Sequence, residues 1–129
     1  MKQLALALVL AALSGSAAAA WVLLGSSDTA NVYVDPGTIR RSDGLVKMWN
    51  LYDFKTAQVE AGRKAYLSNK QQSEYDCKEE QSRVLYFSLH SGQMGAGNVV
   101  YSHSEPANWA PVPPGSVSEA FWQFACSEK

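Results

Sequence analysis

The hydropathy pattern divides the chain into three stretches: a solid apolar run, a long region that alternates, and a short tail of helical period. In the first, Lys2 precedes an unbroken apolar run from Leu4 to Leu13, Ser14-Gly15-Ser16 interrupts it, and Ala17 to Ala20 follow. A basic start, an apolar core and an Ala-x-Ala end are the layout of a secretory signal peptide. The run is too short to cross a bilayer, which takes about 20 apolar residues. Residues 1–20 are expected to be a signal peptide, and residues 21–129 one exported domain with no membrane span. No cysteine follows the apolar run, so no lipid anchor is expected. The domain is expected to be periplasmic or secreted.

From Trp21 onward the pattern is that of strands. Trp21 to Gly25 is a short apolar first strand, and Asn31 to Val34 a second, built of β-branched and aromatic residues. Asp35-Pro36-Gly37 is expected to be a turn, with extended chain resuming from Thr38 to Ser42. Asp43-Gly44 is the strongest hairpin signal, because a type I′ turn needs positive φ at both central positions. Leu45 to Phe54 then reads as a central strand. Leu45, Trp49 and Leu51 lie on one face, with Val46, Met48, Tyr52 and Phe54 on the other. Lys55 to Lys64 is expected to be a loop. Tyr66 to Glu79 is extended, with Asn69, Gln71, Ser73, Tyr75 and Cys77 on one face. Its charges (Lys70, Glu74, Asp76, Lys78, Glu79, with Glu80 and Arg83 beyond) suggest a solvated edge strand. Arg83 to His90 alternates, with Leu85, Phe87 and Leu89 together. Ser91 to Gly97 is expected to be a flexible connection, and Asn98 to Ser104 another strand. Pro106 to Gly115, with four prolines and Trp109, is irregular.

The period changes at Ser116. Ser116 and Glu119 have capping-box spacing. Val117, Ala120, Phe121, Phe124 and Ala125 recur at helical intervals. A helix of about ten residues is marginal alone, so it must pack on the strands. The expected fold is α+β: an antiparallel sheet of about six strands with one C-terminal helix on a face.

Charge and cysteine count narrow the class. The chain carries 11 Lys+Arg against 12 Asp+Glu, a formal charge of −1, and losing Lys2 with the signal peptide makes it −2. That balance argues against a nucleic-acid partner, which calls for a basic footprint. Cys77 and Cys126 are the only two cysteines. In an exported domain they are most simply one disulfide. A bridge over that separation is worth about 4 kcal/mol in the chain-entropy model. The alternatives, a catalytic thiol or a metal site, find no partner residues in the sequence.

Candidate chemistry is sparse. Gly92-Gln93-Met94-Gly95-Ala96-Gly97 follows a strand, but a phosphate cradle needs a helix next, and Val99-Val100-Tyr101 is a strand. His90 and His103 are expected at the surface, and His103-Ser104-Glu105 supplies too few ligands for a metal. Arg40-Arg41 with Lys47 forms a small basic cluster beside the hairpin. Trp109, among prolines, is the tryptophan most expected to be exposed as a contact. No enzyme, metal or cofactor is expected. A free edge at Trp21–Gly25 or Tyr66–Glu79 leaves room for a homodimer.

The residues Trp21-Val22-x-Leu24, Val32-Tyr33-Val34-Asp35, Tyr75-Asp76-Cys77, Arg83, Ser91-Gly92-x-Met94, Pro113-x-Gly115-Ser116 and Cys126 together resemble the surface-adhesin protein E family of Gram-negative bacteria. The resemblance implies a small antiparallel sheet with a C-terminal helix held by a Cys77–Cys126 disulfide. It implies a non-enzymatic task, the binding of host-matrix proteins such as vitronectin and laminin, or of envelope proteins. The family's founding adhesin is a lipoprotein, and this chain lacks the acylated cysteine. A periplasmic accessory or enzyme-inhibitor-like domain is the alternative expectation. The resemblance fixes no ligand-binding residues.

Overall fold

Asp43 and Gly44 adopt φ of +53° and +80°, the two left-handed positions a tight hairpin requires. They join two long strands, β2 (Ala30–Ser42) and β3 (Leu45–Gln58). The computed structural model describes residues 20–127, so the signal-peptide expectation lies outside the described residues. The other strands are β1 (Val22–Ser26), β4 (Tyr66–Asp76), β5 (Gln81–His90) and β6 (Val99–His103). Strands β1 to β6 pair antiparallel in chain order, and a two-residue strand, β7 (Ala110–Pro111), pairs with the start of β5. One helix, α1 (Val117–Ser127), packs on one face. The α+β fold is as the sequence implies.

Four local expectations fail, each for a physical reason. Asp35-Pro36-Gly37 does not reverse the chain; it is a bulge within β2, where the register jumps from Asp35–Trp49 to Arg40–Lys47. Asp35 ties the bulge: its carboxylate accepts from the Gly37 amide and its carbonyl from the Thr38 hydroxyl. β1 pairs with β2 only as far as Val34, so Pro36 lies on an open edge, where a missing N–H is tolerated. Strand β3 continues through Lys55 to Gln58 instead of ending in a loop, helped by the Lys55 amide on the Thr29 carbonyl. Strand β4 is interior, between β3 and β5, not an edge. Its Glu74 is buried and held by Arg83 at 2.8 and 3.0 Å. Finally, Gln72 pairs with Tyr86 but Ser73 with Val84. Leu85 is therefore the extra residue, and Val84 joins Phe87 and Leu89 on the helix side.

The core lies between helix and sheet. Val32, Val34, Val46, Met48 and Tyr75 meet Phe121 and Ala125. The Ser116 hydroxyl accepts the Glu119 amide, and the Glu119 carboxylate accepts the Gly115 amide, a capping box displaced by one residue. Two ties fix the helix to the end of β4. The Trp122 indole donates to the Asp76 carbonyl at 2.8 Å. Cys77 and Cys126 are joined as a disulfide, with Cα atoms 5.6 Å apart.

The bridge spans 49 positions. Cys77→Ser with Cys126→Ser is expected to cost about 2–4 kcal/mol, read as a lower urea midpoint. Equal midpoints for the oxidised wild type and the double variant contradict this account.

Candidate binding groove

Register and alternation place two sets of side chains on opposite faces of the sheet. On the helix side, β3 presents Val46, Met48, Asn50, Tyr52 and Phe54, and β4 answers with Tyr75, Ser73, Gln71 and Asn69. The last contact of the helix along this face is Phe121, edge-on to Tyr52 at 5.7 Å. Beyond it no helix lies over the strands among the described residues. The face continues instead as aromatic rings, all half-buried except Tyr66, which is buried. Tyr52 stacks on Phe54 at 6.3 Å, Phe54 meets Tyr66 edge-on at 5.8 Å, and Phe87 lies 5.8 Å from Tyr101.

The loop after β3 forms one wall of this groove. Tyr66 donates its hydroxyl to Glu60 at 2.6 Å, Arg63 pairs with the same carboxylate, and the Arg63 guanidinium lies 4.0 Å from the centre of the Tyr101 ring. Burial, then the Glu60 carboxylate, push the Tyr66 phenol up to about 12. The Tyr66 hydrogen bond, with Arg63 beside it, holds the Glu60 carboxyl below its usual range. Toward the helix the groove deepens into a cleft of about 280 Å3, with Tyr52, Tyr75 and Phe121 in its wall and Arg83 at its side. Burial raises the phenols of both Tyr52 and Tyr75, so both remain neutral donors.

Two acceptors on this face have no protein donor: the buried amide oxygens of Asn50 and Asn69. Asn50 spends its NH2 on the Tyr75 hydroxyl at 2.8 Å. An unmatched buried acceptor costs about 1–3 kcal/mol. Tyr and Phe rings with an Arg beside them are the composition of a protein-binding hot spot. Nothing in the sequence marked this groove, since each aromatic reads separately as core.

Most of the features the sequence singled out lie outside this groove. His90 is buried, not a surface residue: its Nε2 meets the Ser88 hydroxyl at 2.7 Å, and its Nδ1 has no partner. The Gly92–Gly97 connection is a pinned cap rather than a flexible one. Asp53 accepts the Met94 amide at 2.8 Å and Ser68 the Gly95 amide at 2.9 Å. Those amides are consumed, so they cradle no anion. His103 is exposed and lies on the groove's own face, paired with Phe87 across β5 and β6, their rings 5.9 Å apart. Trp109 is half-buried under the Arg83 guanidinium at 4.7 Å, not free. Arg40, Arg41 and Lys47 do come together, around one depression at the hairpin. Of the two proposed free edges only β1 is one. Among the described residues no three His, Cys, Asp or Glu side chains stand together as metal ligands, and no helix is long and apolar enough to cross a membrane.

The sequence profile described as Surface-adhesin protein E matches residues 21–127. Among solved structures, the fold is similar to protein E of Haemophilus influenzae, with a TM-score of 0.63 at 12% identity over 83% of each chain. A crystal structure of protein E from non-typeable Haemophilus influenzae gives 0.61 at 12% identity, over 88% of this chain and 79% of that one. Crystal form II of the same organism's protein E gives 0.62 at 11% identity, over 86% and 97%. No curated protein matches the chain.

Burial, and then Lys70, hold the His90 imidazole below its usual value. The folded state therefore resists a proton that the unfolded chain accepts below about pH 6.5. This contribution to stability is complete above that pH and is lost as pH falls below it. His90→Gln is expected to lower the urea midpoint less between pH 7.5 and 5.5 than wild type does. Parallel pH profiles for the two proteins count against it.

Proposed function

Because the chain belongs to the surface-adhesin protein E family, we propose that it is an exported, non-enzymatic domain that binds a protein of the host matrix or the bacterial envelope through the aromatic groove beside α1. One observation carries this reading: a single sheet face leaves Phe54, Phe87 and Tyr101 half-buried, continuing from Tyr52 at the edge of the helix, with no α-helix above them among the described residues. Rings held in place by strands lose little entropy on binding, and the groove is fixed by the disulfide and by the Glu60–Arg63–Tyr66 cluster. The apolar run of residues 4–13, followed by Ala17 to Ala20, supports a signal peptide as the route of export. The Cys77–Cys126 disulfide fits an oxidising compartment.

The test is surface plasmon resonance of residues 21–129 over immobilised matrix and envelope proteins. Saturable binding is expected to at least one. Tyr101→Ala, on the last full strand, is expected to weaken it tenfold or more with the thermal midpoint little changed. The absence of saturable binding by folded protein removes the proposal. Binding that Tyr101→Ala leaves intact moves the site out of the groove.

A further inference from the structure

The face opposite the helix holds a second, differently built surface. Arg40 pairs with Lys47, Lys47 with Glu74, and Glu74 with Arg83, so one row of charges crosses four strands. Within that row the one carboxylate is spoken for: Glu74 is buried and bonded twice by Arg83. Arg40, Arg41 and Lys47 belong to neither ion pair among the described residues. All three are exposed and line a single depression of about 300 Å3 at the hairpin end of β2, which Leu45 and Asp43 also line. Arg40 Nη1 is anchored on the Gly37 and Ile39 carbonyls, at 3.1 and 2.8 Å, which orients the guanidinium. Arg41 pairs with Val46, on the helix-facing side, so it stands at the rim of the depression, and the cations of the open face here are Arg40 and Lys47, with the Asp43 carboxylate beside them.

One row further along the same face stand Trp49, Gln72 and Tyr86. Trp49 and Tyr86 are half-buried and meet edge-on at 5.7 Å. Lys70, in the next row, places its ammonium 5.2 Å from the centre of the Trp49 ring. Cations therefore stand at both ends of an aromatic platform. From the Lys47 row to the Leu51 row the strip runs four residues, about 13 Å at strand rise. Past Leu51 the pinned turn at Gly95 closes it.

We propose that this strip binds a linear sulfated polysaccharide. Guanidinium forks match tetrahedral oxyanions in pairs of hydrogen bonds. Two cations at one end of the strip, Arg40 and Lys47, and a third at the other, Lys70, fit sulfates repeated along a chain better than the single charge of a protein carboxylate. The aromatic platform continuous with it offers flat apolar rings to the faces of the following sugars. The second cation, Lys70, then meets the next charged unit. The length of the strip favours a polymer over a single headgroup. This surface is separate from the helix-side groove and does not depend on what the groove binds.

The experiment is biolayer interferometry of the mature chain on immobilised heparin at physiological salt. Chemically desulfated heparin, single-stranded DNA and polyglutamate serve as competitors. Saturable binding is expected, falling steeply with added salt, with each of the three competitors at least tenfold weaker than heparin. Arg40→Glu with Lys47→Glu, both exposed, is expected to reduce affinity at least tenfold, and Lys70→Glu to reduce it severalfold. Tyr101→Ala is expected to leave heparin binding unchanged, so failure of one surface is distinguishable from failure of the other. No saturable heparin binding overturns the proposal. So does equal competition by DNA or polyglutamate, which would show unspecific attraction of polyanions. So does unchanged affinity in a folded Arg40→Glu, Lys47→Glu protein.

Discussion

The helix side of the sheet depends on holding an eleven-residue helix that has too few turns to persist in water by itself. Packing alone supplies part of the hold, through Phe121 and Ala125. The rest comes from two ties at one place, the end of β4: the Trp122 indole on the Asp76 carbonyl and the Cys77–Cys126 bond. Both ties sit at the helix's C-terminal half, while the displaced capping box orders its start. Because the ties are at the β4 end, the helix covers the Val46–Met48–Tyr75 end of its face and stops at Tyr52. The groove exists because the helix is short and because it is fastened where it is.

The other face is solved differently. There, among the described residues, no α-helix covers the strands, and a cap made from the β5–β6 connection closes only one end. Polar side chains hold that cap, with Asp53 and Ser68 receiving its amides. Burying those side chains is tolerable because each has its hydrogen bond. Leu51, wholly buried, gains its cover from the same turn. Beyond the cap the face stays open, and Trp49 and Tyr86 remain half-exposed. Strand β3 is thus central in the sheet and covered on both sides, but unequally: by a helix on one and by a few residues of turn on the other.

The elements were legible where local chemistry dictated them. Asp43-Gly44, the capping residues and the helical spacing of Phe121 and Ala125 each have one good conformation. The two-sided apolar content of Leu45 to Phe54 pointed correctly to an interior strand. The two cysteines pointed correctly to a helix tied down. What escaped was information held between strands. Two bulges, at Asp35–Arg40 and at Leu85, change which residues share a face, and a bulge depends on the partner strand as much as on its own sequence. Charges on Lys70 to Glu80 suggested an edge because the partner of Glu74, Arg83, lies on the next strand. His90 looked like a surface residue because its cover, the 92–97 turn, returns from further along the chain. The groove was illegible for the same reason: Tyr52, Phe54, Phe87 and Tyr101 come from three strands, and only the reach of the helix decides which stay uncovered.

The division of charge between the two faces follows from these same constraints. The disulfide end of β4 is acidic, with Asp76 drawn into the turn by the Lys78 and Glu79 amides and by Gln81. Hydrogen bonds from those groups outweigh its partial desolvation and hold its carboxyl below the usual range. Glu60 is likewise engaged at the groove's wall. On the open face the carboxylates Asp53 and Glu74 are consumed by the turn and by Arg83, and Asp35 by its own bulge. Their engagement is structural, yet its electrostatic result is that Arg40, Lys47 and Lys70 form no ion pair among the described residues. A chain of net charge −1 thereby presents a basic strip on one face and an aromatic groove on the other. Both surfaces are by-products of how the same six strands satisfy their buried polar groups.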